Sequence, residues 1–147
     1  MPKFRYARGR ILDSIRFISE EMKEFDEEYA GKTWKEYQEE RKLQKLMDRT
    51  VENILTALVE VCGTFVTEEG VAVESYSDAL RKSGKLLGFS EEEQDYLAGL
   101  GIQRNRLAHR YLNFRWQAIR SFNEKKDLVV RLLQELLNRE EKREAEK

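Results

Sequence analysis

The chain has 147 residues, 37% of them charged, with a formal net charge of −1, one proline and one cysteine. That length buries a single core without staples, and the lone Cys62 excludes an internal disulfide and fits a reducing cytosol, so a cytoplasmic protein is expected. No run of about 18 apolar residues offers a transmembrane helix, and the amino terminus has no apolar stretch of signal-peptide length, so no membrane partner is expected.

The elements follow from periodicity. Residues 4–29 read as one helix, with Ile11, Ile15, Ile18, Met22 and Phe25 at spacings of three and four. Gly31 stops it. Thr33 caps the next helix with Glu36 as capping-box partner, and that helix is expected to run unbroken to Val66. Its apolar side carries Tyr37, Leu43, Met47, Val51, Ile54, Leu55 and Leu58, and Cys62 reads as core. After the break "TEEGVAVES", Ser75 opens a shorter helix ended by Gly88. Ser90 and Glu93 form a second capping box, opening a helix expected to continue through "RNRLAHRY" until "LNF" interrupts it. A last helix from Arg115 carries Ile119, Phe122, Leu128, Leu132, Leu133 and Leu136. The expected fold is all-α, an up-and-down bundle of about five helices. It forms one domain over residues 1–138, followed by a charged, fraying tail over 139–147.

Charge distribution singles out one segment. From Tyr96 to Asn123 there is no Asp or Glu, and the same interval carries Arg104, Arg106, Arg110, Arg115 and Arg120 without a lysine. Lys3, Arg5, Arg8, Arg10 and Arg16 form a second basic cluster. Arginine forks suit bidentate contact with phosphate, whereas the plainer reading pairs them with acids on other helices.

Within that segment lies the only histidine, His109. On a continuous helix Leu97, Leu100, Arg104, Leu107 and Tyr111 share a stripe, with Ile102, Asn105 and His109 on the neighbouring one. Arg104 on an apolar stripe is costly unless an anion meets it. Arg104 and His109, five apart, would stand about 140° apart around an ideal helix. Their convergence therefore needs a loosened helix, a long reach by the arginine, or a second subunit.

An imidazole is matched to proton transfer near neutral pH, and guanidinium groups bind a phosphodiester and stabilise charge in its transition state. Cleavage of RNA by its own 2′-hydroxyl needs a base, an acid and such a stabiliser. No metal-ligand spacing, Gly-rich phosphate loop or serine nucleophile motif is present, so no metal and no cofactor are expected. Phe114 and Trp116 can stack on bases, although packing between the last two helices is the plainer role. Trp34 and Tyr37 are expected to pack near the start of the second helix.

"RNRLAHRY" resembles the Arg-x4-His-x-Tyr motif of the HepT branch of the HEPN superfamily, with Arg104, His109 and Tyr111 in the defining places and Asn105 as the polar residue after the arginine. The likeness extends through "SYSDALRKSGKLLGFSEEEQDYLAGLGIQ" and covers about residues 8–138. It implies a small helical homodimer with Arg104, Asn105 and His109 catalytic in a metal-independent endoribonuclease toxin, its RNA substrate cut at a composite site between subunits. It implies a partner as well, an MntA-like minimal nucleotidyltransferase antitoxin that silences the toxin by AMPylation of Tyr111. Arg106, Arg110 and Arg115 are the expected phosphate-binding residues. Two other readings stay open: a non-catalytic nucleotide- or RNA-binding HEPN subunit that partners a nucleotidyltransferase, and a plain helical interaction protein.

Overall fold

The computed structural model describes the backbone of residues 2–146 and the side chains of residues 11–146. The side chains of Lys3, Arg5, Arg8 and Arg10 lie outside the described residues. Seven helices follow in order: α1 (Pro2–Glu28), α2 (Trp34–Glu39), α3 (Arg41–Glu68), α4 (Tyr76–Leu86), α5 (Glu91–Arg106), α6 (Leu112–Glu124) and α7 (Lys126–Ala145). The fold is all-α, and the count among the described residues is seven rather than about five because the expected second helix breaks at Glu40 and the expected last helix breaks at Lys125.

α3 is the central helix, packed by α1, α2, α4, α5 and α6. It is long and apolar enough to cross a membrane, contrary to the expectation from sequence, but most of that apolar stretch is buried inside the bundle. Met47, Val51, Ile54, Leu55, Leu58, Cys62 and Phe65 face neighbouring helices, and burial pushes the Cys62 thiol up to about 12. The α1 stripe Ile11, Ile15, Ile18, Met22 and Phe25 is buried against it, and Phe25 meets Phe122 of α6 edge-on at 5.1 Å. Gly70 and Gly88, both at positive φ, let the chain leave α3 and α4 through left-handed turns that return N–H bonds to the last helical carbonyls.

The break after α2 has a tertiary cause. Thr33 and Glu36 form the expected capping box, yet Glu40 is extended and the helix restarts at Arg41. Tyr37 is fully buried and its hydroxyl donates to Asp48 Oδ1 at 2.6 Å. On one straight helix those residues would stand about 16 Å apart along the axis. Folding α2 back at Glu40 lets the phenol reach its acceptor.

The expected fraying tail is helical to Ala145 and docked. Arg143 pairs with Glu68, Glu69 and Glu140, and Arg139 reaches Glu69 and the Leu86 carbonyl. These cations sit at the carboxyl ends of α3 and α4, where the helix dipole favours them.

α4 and α5 form a close pair. A Cβ on Gly101 would meet the Ser77 backbone nitrogen at 2.7 Å and its Cα at 2.9 Å, so only glycine fits there. Gly101→Ala is expected to destabilise the fold by about 1–3 kcal/mol despite its better helix propensity, read as a lower denaturation midpoint. An unchanged midpoint would mean that the two helices part without cost.

Candidate active site

The motif does not lie on a continuous helix. α5 ends at Arg106 in a tightened turn, with N–H bonds from Ala108 to the Asn105 carbonyl and from His109 to the Arg106 carbonyl. Tyr111 is extended and α6 begins at Leu112, so "LNF" opens a helix instead of interrupting one. No glycine or proline marks the break. Leu107 is buried as the anchor of the turn, while Ala108, His109, Arg110 and Tyr111 stay at the surface. The helical-wheel separation of Arg104 and His109 therefore does not apply, and Tyr111, 60% exposed, leaves the apolar stripe assigned to it.

Arg104, on the last turn of α5, points back to α3. Its Nε donates to Thr56 Oγ1 at 3.2 Å, and one terminal nitrogen lies 3.8 Å from Glu52 Oε1. The guanidinium also stands 6.0 Å from the Tyr76 ring centroid at the start of α4. It borders an open groove of about 480 Å³ lined by Asp13, Phe17, Glu52, Thr56 and Glu60. This is the compensation that an arginine on a buried stripe requires, with an exposed carboxylate at salt-bridge range instead of a buried one.

His109 sits in a ring cluster. Its imidazole meets Phe114 edge-on at 5.1 Å and lies 6.5 Å from the Tyr111 ring, while Tyr111 and Phe114 meet at 5.7 Å. Phe114 thus packs on the motif, and Trp116 packs on Tyr37 and Trp34 of α2, not between the last two helices. No hydrogen bond or ring contact joins Arg104 to His109 among the described residues. Asn105 is exposed, and its side chain makes no hydrogen bond to a described residue.

The arginines of the acid-free interval divide into two groups. Arg115 donates to Asp48 Oδ2 of α3 at 2.7 Å, as the plainer reading expects, and Arg120 pairs with Glu124 one turn on within α6. Arg106 reaches only Gln117, and Arg110 has no carboxylate within ion-pair range among the described residues. Two cations thus flank His109 without counter-charge. The open N-terminus of α6, with no side-chain cap and no acid in its first turn, adds N–H groups of the same polarity.

Beneath this turn lies a buried polar pair that periodicity does not reveal. Asp48 accepts from both Tyr37 and Arg115. Burial pushes its carboxyl above the ordinary 3.8, against the downward pull of those two donors. Burial first, then the neighbouring Asp48 carboxylate, pushes the Tyr37 hydroxyl well above 10. A second groove of about 510 Å³, lined by Lys45, Asp48, Arg49, Glu52, Leu107 and Arg115, opens beside it. Nothing local in the sequence marks this pair, because Asp48 stands among Gln44, Lys45, Arg49 and Glu52.

Residues 18–138 match the model of the HepT-like family, described as ribonuclease HepT-like. The chain belongs to the HepT-like ribonuclease family. The matched span contains the whole turn and both helices that carry it, so the family assignment and the exposed His109 describe the same segment. No curated protein matches the sequence. In this HepT-like chain the ribonuclease character is a family property, and the turn that carries His109 lies inside the matched span.

Proposed function

We propose that this HepT-like chain is a metal-independent endoribonuclease toxin that cuts RNA in the cytoplasm at a composite site between two copies of itself. The observation that carries the reading is the His109 turn: an exposed imidazole flanked by Arg106 and Arg110, neither of which has a counter-charge among the described residues. His109 of one protomer takes the proton of a ribose 2′-hydroxyl as the 2′-oxygen attacks phosphorus. The same imidazole of its partner gives a proton to the departing 5′-oxygen, leaving a 2′,3′-cyclic phosphate and a 5′-hydroxyl. Arg104 stabilises charge on the phosphorane, and Asn105 orients the imidazole or contacts the substrate. Arg106 and Arg110 hold flanking phosphates. Arg115, expected from the sequence to bind phosphate, is engaged with Asp48 Oδ2, and the proposed site leaves the phosphates to Arg106 and Arg110.

A composite site accounts for the missing contact between Arg104 and His109 within one chain. Exposed Ile102 on α5 supplies apolar surface for a second copy. Purified protein incubated with RNA in EDTA tests the reading. Cleavage that disappears in His109→Ala is expected; intact RNA sinks the proposal.

The partner in this reading is an MntA-like minimal nucleotidyltransferase antitoxin that AMPylates Tyr111. The phenol oxygen attacks the α-phosphorus of ATP and diphosphate leaves, which puts bulk and negative charge where an RNA phosphate should bind. The exposure of Tyr111 supports its role as acceptor. After co-expression with such a nucleotidyltransferase, intact-mass measurement should show the chain heavier by whole AMP groups, and Tyr111→Phe should stay unmodified. An unmodified wild-type mass contradicts the assignment.

A further inference from the structure

α3 turns a polar stripe toward the motif. Asp48, Glu52 and Thr56 follow at four-residue spacing on one face; Asp48 meets Arg115, while Glu52 and Thr56 meet Arg104. One helix thus holds both flanks of the turn, the last residues of α5 and the first of α6.

We propose that Asp48 is a positioning residue for the reaction, acting through Arg115 to hold the turn that carries His109. The proposal rests on the reading of His109 as the proton-transfer group. Its basis is a continuous chain of contacts. The Tyr37 hydroxyl and one Arg115 nitrogen each donate to a separate Asp48 oxygen, at 2.6 and 2.7 Å. The other terminal nitrogen of Arg115 makes a long 3.5 Å contact with the carbonyl of Arg110, the residue after His109. The Arg115 backbone N–H donates to the Tyr111 carbonyl at 3.3 Å. Phe114, one residue before Arg115, lies edge-on to the imidazole. Fixing Arg115 therefore fixes the carbonyl beside the imidazole and the ring packed on it.

Stability alone does not account for this arrangement. Buried ion pairs are weak stabilisers, because desolvation offsets their attraction. Here the Arg115 Nε is buried without a hydrogen-bond partner among the described residues, a cost that a purely stabilising pair would avoid. The guanidinium is held where its fork spans Asp48 and the Arg110 carbonyl. Lysine, a point charge without that fork, could keep the ion pair but not both contacts.

The test uses the full chain, with Asp48→Asn, Arg115→Lys and Tyr37→Phe measured for RNA cleavage. A single histidine makes the imidazole NMR signal of His109 unique. Asp48→Asn and Arg115→Lys are expected to lower kcat by about 10- to 100-fold with KM nearly unchanged, and to shift the His109 signal. Tyr37→Phe should move both readouts in the same direction and less, because the ion pair remains. Wild-type kcat and an unmoved imidazole signal in the folded variants overturn the proposal. A raised KM with an unmoved signal overturns it too, because Arg115 would then be contacting RNA directly. Should Asp48→Asn fail to fold, Arg115→Lys and Tyr37→Phe carry the same decision. If the wild-type chain cuts no RNA, the catalytic reading fails separately. The imidazole signal then decides alone: a shift in Arg115→Lys supports positioning, and no shift overturns it.

Discussion

His109→Ala is expected to lower metal-free RNA cleavage by about two to four orders of magnitude, the usual loss when a positioned acid–base group is removed. The fold should hardly notice. His109 is exposed, and among the described residues its ring pairs with Tyr111 and Phe114 alone, so the stability change should stay within about 0.5 kcal/mol. The measurement is a single-turnover cleavage rate beside a denaturant titration of the same preparation. Binding should persist, because Arg106 and Arg110 still face the phosphates, and it should weaken steeply with salt. A variant that cuts as fast as the wild type removes the imidazole from the mechanism. A wild type that binds in this salt-dependent way and never cuts favours the non-catalytic subunit.

Arg104→Lys is expected to cost about 100- to 1,000-fold in kcat, the range for losing one donor to a charged transition state. Lysine keeps the charge but has no Nε to donate to Thr56 and no fork to aim at two oxygens of the phosphorane. The effect on stability should be small. The Arg104–Glu52 contact is 3.8 Å long with Glu52 half exposed, and such pairs contribute about 0–1 kcal/mol. Cleavage kinetics and a thermal melt separate the two roles. A marked loss of stability in Arg104→Lys with cleavage intact would make Arg104 a structural ion-pair residue and nothing more.

Those two residues stand in a segment that was legible in the sequence because its signal is local. The absence of acids from Tyr96 to Asn123 is a property of consecutive residues, as are the capping boxes Thr33–Glu36 and Ser90–Glu93, both of which form. Buried stripes such as Ile11–Ile15–Ile18–Met22–Phe25 are local as well, because helical period alone sets them. The break at Glu40 was not legible, and the one after Arg106 was placed too late, at "LNF". Neither contains glycine or proline, and each exists because a distant group must be reached: Tyr37 turns back to Asp48, and α6 brings Arg115 to the same carboxylate across 67 positions. The docked end of α7 escaped for the same reason. Arg139 and Arg143 look like a solvated run until the carboxyl ends of α3 and α4 are placed beside them.

The five-residue spacing in the motif takes a different meaning once the turn is known. With α5 ending at Arg106, Arg104 belongs to the helix face turned to α3, and His109 belongs to the surface turn before α6. In the proposed mechanism one chain supplies the phosphorane-stabilising and proton-transfer groups on separate structural units, both tied to the polar stripe of α3. Two copies facing each other would close the site.

The central claim is that this turn cleaves RNA through the RNA's own 2′-hydroxyl, without a metal. The most direct measurement is the chemistry of the product ends after RNA is incubated with the purified chain in EDTA. The expected products carry 2′,3′-cyclic phosphate and 5′-hydroxyl ends, with no cut at a position carrying a 2′-deoxyribose. Products with 5′-phosphate and 3′-hydroxyl ends, or cleavage abolished by EDTA, would contradict it.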